Sequence, residues 1–443
     1  MKGFHAYDIR GIYNKDFNKE DIEKTGFFLP QLTNAKKILV GRDVRISSPE
    51  IFEYLCKGIT AAGVDVVSIG ICTTPMIYYT TAKYGFETSV MITASHNPKE
   101  YNGLKISGKN AVPIGYDNGL NELEKSVNSG HIKNTENKGK ITELDIRSEY
   151  IEFQKQYLGD LQALKMCVDC SNGMAGLIIK DILGDLPEYI FDELDGSFPN
   201  HEANPLVEKN TLDLRNKVAE KKCDIGVIFD GDADRVMFVD EKSQFISPDL
   251  LIALLAEYYK DRTGNFLQDI RSSKAVREYV GERFTANTWK VGRAFASLKL
   301  RELDGIFGGE LAGHYYFKDF FYSDSGIMAA LIFLDIFSRY KKNGIPVSEV
   351  ISRIKRYENS GEINFKIENK KEAMEAVKNY FISEQKPEAF FDFDGYRIEY
   401  ADWWFNVRLS NTEPYLRLIV EAKNKEILNS KLEIIKKIIT EHN

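Results

Sequence analysis

Three aspartates at alternate positions, Asp230, Asp232 and Asp234, lie in Asp224-Ile-Gly-Val-Ile-Phe-Asp-Gly-Asp-Ala-Asp-Arg-Val-Met-Phe-Val-Asp240. In an extended segment alternate side chains share a face, so this spacing aims three carboxylates at one point. Like charges held that close repel unless a cation stands among them, and a set of hard oxygen ligands suits a divalent ion such as Mg²⁺. The count also matches an EF-hand loop, with Asp230 first and Glu241 twelfth. Arg235 falls on the position that requires glycine, and the flanks read as strands, so an EF-hand is excluded.

A second stretch, Thr93-Ala-Ser-His-Asn-Pro-Lys-Glu-Tyr-Asn-Gly-Leu-Lys105, puts a serine hydroxyl where an apolar run ends and turn residues begin. A strand-to-loop edge of this kind is where open α/β sheets present reactive side chains. In Arg408-Leu-Ser-Asn-Thr-Glu-Pro-Tyr-Leu-Arg417 two guanidiniums, two hydroxyls, an amide and backbone N–H groups share one strand-loop-strand segment. Those are the donors that a phosphate dianion requires. Gly308-Gly-Glu-Leu-Ala-Gly-His314 adds a carboxylate, Glu310, and an imidazole in a glycine-rich loop, and Tyr7-Asp-Ile-Arg10 adds a phenol and an anion-binding guanidinium.

The elements that must position these loops read as βαβ grammar. Ile38–Gly41 is a strand, Pro49–Ala62 a helix with proline in its first turn, and Val64–Ile69 a strand. The grammar restarts at Lys165–Val168 and again after Gln244, with helices at Pro248–Lys260, Ala294–Leu303 and Ser325–Lys341. From Asn359 the order changes, with a strand at Trp403–Leu409 and a final amphipathic helix at Lys425–Thr440, which fits an α+β unit. The three earlier units share grammar without countable residue repetition.

With 443 residues the chain is expected to form several domains, each burying its own apolar centre. The boundaries are drawn at 1–142, 143–243, 244–357 and 358–443. A net charge of −7, from 59 basic and 66 acidic residues, argues against nucleic acid as a partner. The start of the chain has no apolar core, and Ile327–Phe337 is broken by Asp335 and too short to span a bilayer. A cytoplasmic protein with no membrane partner, monomeric or a weak homodimer, is expected. Five cysteines do not make a disulfide framework, and Cys167-Val-Asp-Cys170 reads as buried structural thiols.

The four stretches around Ser95, Asp230, Glu310 and Arg408 resemble, in order, the signature loops of the α-D-phosphohexomutases, and the resemblance covers essentially the whole chain. It implies four domains around a central cleft, three of related mixed α/β topology and a fourth that clamps phosphate. It implies that Ser95 carries the transferred phosphoryl group and that Mg²⁺ is held by its phosphate with Asp230, Asp232 and Asp234. Arg235 would brace the phosphoserine, and Lys105 would be the general acid/base, with His96 near it and His314 a second candidate. Tyr7, Arg10 and Arg293 would lie on the substrate side, Glu310 would bind sugar hydroxyls, and Arg408, Ser410, Asn411 and Thr412 would clamp the non-reacting phosphate. Arg417 joins the clamp by charge and proximity.

The implied reaction is a phosphomannomutase cycle, extending to glucose phosphates, with a hexose 1,6-bisphosphate as intermediate and activator. A phosphoglucosamine mutase and a silent sugar-phosphate binder are the alternatives. Several positions depart from the common pattern: Ala312 stands for serine, Arg293-Ala294 for a His-Ser pair, Arg271 for lysine and His5 for arginine. These departures bear on the choice of sugar, whereas Asn411 and Trp403-Trp404 lean towards mannose and glucose.

Overall fold

The structure is a computed structural model that describes residues 1–133, 135, 137–410 and 414–442. Three of its sheets share one plan. In the first, Lys37–Arg42 lies between the parallel strands Asp65–Ile71 and Thr88–Ile92, Tyr101–Gly108 turns back antiparallel on Thr88–Ile92, and Ile9–Ile12 follows antiparallel. In the second, Met166–Asp169 lies between parallel Glu188–Ile190 and Ile225–Phe229, and Val236–Asp240 then Phe245–Ile246 continue antiparallel. In the third, Gly264–Asp269 lies between parallel Phe284–Trp289 and Phe307–Gly309, followed by antiparallel Tyr315–Phe317 and Ser323–Asp324. The repetition that the residues hide is therefore plain in the strand order.

This plan positions the chemistry. In every unit the turn from the last parallel strand into its antiparallel neighbour carries a candidate loop: Ser95 in the first, the aspartate triplet in the second, Glu310 and His314 in the third. The strands leading into the first two turns, Thr88–Ile92 and Ile225–Phe229, are buried throughout, as expected of sheets covered on both faces.

The polar stretch Val127–Glu143, read from sequence as a boundary, holds one more strand. Ile141–Glu143 pairs in parallel with Asp65–Ile71 as the sixth strand of the first sheet. Its three residues are all exposed, so no apolar pattern announces it.

The fourth unit is an antiparallel sheet ordered Glu358–Asn359, Leu416–Ala422, Trp403–Leu409, Tyr396–Glu399, Ala389–Phe391, with Ile363–Phe365 also on Leu416–Ala422. Helices Lys370–Glu384 and Lys425–Thr440 cover it through Val377, Phe381, Phe405 and Ile435, which makes the expected α+β unit.

The first and fourth units bury centres of their own. The second and third have smaller centres of their own, around Leu214 and Ile228 and around Leu267 and Leu300, and one larger apolar core joins them to each other and to Tyr78 and Met91 of the first unit, running from Val168 and Phe229 to Leu254 and Phe333. Helix Gly326–Lys342, which contains the apolar run Ile327–Phe337, packs on both Val236–Asp240 and Pro248–Tyr258 and joins them. Among the described residues no helix is long and apolar enough to cross a membrane. All five cysteines are buried and unbridged, and burial pushes the Cys167 thiol up to about 12.

Helix Lys19–Thr33 starts at a capping box between Asn18 and Asp21 and crosses helix Ser48–Ala61 at glycine contacts on both sides. A Cβ on Gly58 would stand 1.9 Å from the Glu23 carbonyl oxygen, so the backbones touch where no side chain fits. Gly58→Ala is expected to lower stability by about 1–3 kcal/mol through overpacking, read as a lower urea midpoint. An unchanged midpoint would mean that the two helices part without cost.

Candidate active site

Ser95 sits just past Thr88–Ile92 in the left-handed region, at φ 51°, and its amide donates to Thr93 Oγ1 at 2.9 Å. The loop is held in that shape by a residue that the sequence reading missed. Arg45, fully buried, donates to the carbonyls of Ser95 (2.8 Å), Asn97 (2.7 Å), Pro98 (2.8 Å) and Tyr101 (3.1 Å). It pairs with Asp43 at 3.2 Å and lies over the Phe198 ring. Only a planar fork with five donors can gather so many backbone acceptors.

The Ser95 hydroxyl donates to Asp230 Oδ2 at 2.7 Å, and His96 Nδ1 is 3.3 Å from Oγ. Burial first, then the charges of Arg235, Arg10 and Lys105, hold the His96 imidazole well below its ordinary value and keep it neutral.

The aspartate triplet converges as the spacing suggests, but not for the reason of strand alternation. Phe229 pairs with Val236, so residues 230–235 form a hairpin loop rather than a strand, and Ala233 lies at φ 61°. The loop coils the three carboxylates together, with one oxygen of each within 4.8 Å of the others. It touches the serine loop directly, because a Cβ on Gly231 would stand 2.5 Å from the Ser95 carbonyl oxygen.

Lys105 Nζ donates to Asp232 Oδ2 at 2.6 Å and to Asp234 Oδ2 at 2.5 Å, while the Thr74 hydroxyl, also missed from sequence, donates to Asp232 Oδ2 at 2.5 Å. Oδ1 of Asp232 and Oδ1 of Asp234 are buried with no hydrogen-bond partner among the described residues. Three buried carboxylates with oxygens to spare fit a hard divalent cation. Burial, then Asp234 and Asp232, push the Asp230 carboxyl well above its usual range. At Lys105 burial opposes the charged form, yet Asp232 and Asp234 outweigh it and raise the ammonium's pKa.

The remaining candidates surround this centre. Arg235 Nε lies 3.8 Å from Asp230 Oδ2, and its amide donates to Asp230 Oδ1. His314 forms a backbone bridge with Arg235, and its Nδ1 lies 2.6 Å from Asp324 Oδ2 and 3.7 Å from Asp234 Oδ1. Asp324 in turn accepts from Arg293 Nε at 3.0 Å, and the Arg293 guanidinium lies 4.0 Å over the Tyr78 ring. Burial opposes ionisation of Asp324, but Arg293 and His314 lower it to about 2.

Arg10 bonds Asn97 Oδ1 at 2.7 Å and Asp8 at 2.5 Å, which ties it to the serine loop. The Tyr7 ring stands against Gly292, whose amide donates to Glu310 Oε1 at 2.6 Å; the Tyr316 hydroxyl holds Glu310 Oε2 at 2.7 Å.

The arginine hairpin forms a second cluster. Arg408 and Arg417 are paired across strands Trp403–Leu409 and Leu416–Ala422, and the Ser410 amide donates to the Tyr415 carbonyl. Glu362 reaches both arginines and also Arg271. Asn411 and Thr412 lie outside the described residues. The two clusters meet at Asp269, which accepts from Arg271 Nη2 at 2.7 Å and from the Leu311 amide at 2.8 Å. Asp324 and Glu362, like Arg45 and Thr74, carry no spacing signal in the sequence; each is recognisable only once the fold brings it to a charged partner.

Arg45→Lys is expected to cut turnover at least about tenfold, because one ammonium cannot hold the loop acceptors in place. Steady-state rates at unchanged circular dichroism test this, and full activity would show that the loop keeps its shape without the fork.

Comparison with known proteins agrees with this fold. The four phosphoglucomutase/phosphomannomutase domain models match in order: α/β/α domain I over residues 1–133, domain II over 148–243, domain III over 247–357 and the C-terminal domain over 362–437. The chain is 35% identical over 457 residues to a phosphomannomutase of Vibrio cholerae, with 98% of each chain covered. It is 34% identical over 436 residues to one of Escherichia coli, covering 95% of this chain and 94% of that one. A phosphoglucomutase/phosphomannomutase family protein from Burkholderia thailandensis superposes with a TM-score of 0.88 at 27% identity, covering 100% of this chain and 97% of that one. The chain belongs to the phosphoglucomutase/phosphomannomutase family, enzymes that move a phosphate group from one position of a sugar to another.

Proposed function

We propose that the protein is a phosphomannomutase that interconverts mannose 6-phosphate and mannose 1-phosphate, and glucose phosphates alongside, through a phosphorylated Ser95 and a hexose 1,6-bisphosphate. The observation that carries the reading is the Ser95 hydroxyl, 2.7 Å from Asp230 at the edge of the buried triplet, with Lys105 between the other two aspartates. In the forward step the phosphorus–Oγ bond of phosphoserine breaks as a bond forms to the sugar hydroxyl, and the hydroxyl proton passes to a base of the site. The bisphosphate turns round, and its other phosphate returns to Ser95.

Asp230, Asp232 and Asp234, with an oxygen of the Ser95 phosphate, would hold Mg²⁺, which supplies localised positive charge against that of the transferring group. Arg235 braces the phosphoserine. Lys105 is the acid/base, with neutral His96 beside Ser95 and His314 oriented by Asp324 as further proton carriers. Tyr7, Arg10, Arg293 and Glu310 bind the sugar, while Arg408, Ser410, Asn411, Thr412 and Arg417 hold the phosphate that is not reacting. One clamp serves both orientations of the bisphosphate.

Peptide mass spectrometry is expected to find one phosphate on Ser95 that is lost or exchanged on adding mannose 1-phosphate, as mannose 6-phosphate appears. Ser95→Ala is expected to lose at least about 10⁴-fold in rate, and chelation should abolish turnover until Mg²⁺ is restored. A Ser95 that hexose 1,6-bisphosphate with Mg²⁺ fails to phosphorylate would leave a sugar-phosphate binder. A dominant rate on glucosamine 1-phosphate, against mannose and glucose 1-phosphates, would make it a phosphoglucosamine mutase.

A further inference from the structure

Among the described residues, Glu362 is the one acidic side chain that reaches all three guanidiniums of the arginine cluster. Its backbone is fixed between two short strands, Glu358–Asn359 and Ile363–Phe365, both paired with Leu416–Ala422, the strand that carries Arg417. Oε1 lies 3.1 Å from Arg417 Nη1, and Oε2 lies 3.5 Å from both Arg271 Nη1 and Arg408 Nη2. Two of these contacts stand at the outer limit of hydrogen bonding.

Asp269 makes the contrast. It grips Arg271 at 2.7 Å and is 1% exposed in its side chain, whereas the Glu362 side chain is 23% exposed. Asp269 is a fixed strut, and Glu362 is a loosely held anion within reach of solvent. Its charge is the one that Arg271, Arg408 and Arg417 share, and it offsets their mutual repulsion from a single point. Burial, and then Arg271, already lower the pKa of the Arg408 guanidinium, with Glu362 foremost among the groups opposing the shift.

We infer that Glu362 is a displaceable counter-anion of the phosphate clamp, keeping the three guanidiniums gathered when the clamp is empty and giving way to the entering phosphate dianion. The inference rests on the clamp reading above. A carboxylate that competes for the same donors weakens phosphate binding, and the mutase cycle benefits from that. The bisphosphate must release its grip and turn before the second transfer, and a clamp that binds every state more tightly lowers KM without speeding the reaction. Glu362 is thus a positioning residue that sets how readily the intermediate turns round.

The test is calorimetric titration of inorganic phosphate, with Mg²⁺ removed, into the wild type, Glu362→Gln, Glu362→Asp and Arg408→Gln, followed by steady-state kinetics with Mg²⁺. Glu362→Gln, which keeps shape and loses charge, is expected to bind phosphate about tenfold more tightly, with KM and kcat falling together. Glu362→Asp, with a shorter reach, should show the same change at smaller size and carries the test if the glutamine variant does not fold. Phosphate affinity unchanged or weakened in the folded variant would overturn the inference and leave Glu362 a scaffold of the cluster. Arg408→Gln separates the two readings: if it binds phosphate as the wild type does, the clamp itself is misassigned and the role of Glu362 falls with it.

Discussion

Three carboxylates buried within 4.8 Å of one another cannot all stay ionised without positive charge among them, and no part of their own loop supplies enough. Lys105 arrives from the first unit, on the strand that follows the serine loop, and divides its ammonium between Asp232 and Asp234. Arg235 stands beside Asp230 from within the loop, and His314 comes from the third unit. Thr74, at the start of a helix in the first unit, fixes Asp232 from the other side. The charge of one loop therefore draws on three units, and their meeting places Ser95 against Asp230. Separating the units would expose the carboxylates to water and leave Lys105 without partners, so the assembly of the site adds an electrostatic attraction to the apolar packing that joins the units.

The sequence made much of this legible. Turn residues after buried apolar runs marked the serine and aspartate loops, because such runs end where the chain leaves the sheet. The long helices were readable from apolar periodicity and from proline and serine at their starts. The final helix, Lys425–Thr440, runs over the residues expected of it. Other features left no trace in one dimension. The convergence of Asp230, Asp232 and Asp234 comes from a coiled hairpin loop, a conformation that the same spacing does not distinguish from a strand. Arg45 acts through backbone carbonyls some fifty residues away in the chain, and carbonyls are common to every residue. Asp324 and Glu362 take their meaning from partners on other strands or in other units. The strand Ile141–Glu143 is held by backbone pairing, with side chains turned to water.

The shared plan of the three α/β units explains why loops of such different chemistry can meet. Each lies at the same point of its sheet, the turn out of the last parallel strand, so each unit presents its functional residues at an equivalent edge. One turn carries the hydroxyl, the next the carboxylates, the third a carboxylate and an imidazole. Common scaffolding lets the side chains diverge while their meeting place is kept.

The continuous core of the second and third units has a mechanical consequence. Apolar packing of that kind resists shear, and here it also takes in Tyr78 and Met91 of the first unit, so it ties together units that the strand order counts separately. The fourth unit has a core of its own and is joined to the third in large part by polar links: Arg397 to the carbonyls of Ile270 and Ser272, Glu421 to Ser273, and Arg277 to Glu399. Polar links reform in new registers far more easily than interlocked side chains do. The joint between the third and fourth units thus lies where Arg271 and Arg408 converge on Glu362, and a phosphate held by both arginines, as the clamp reading has it, would bridge a polar seam and not an interlocked core.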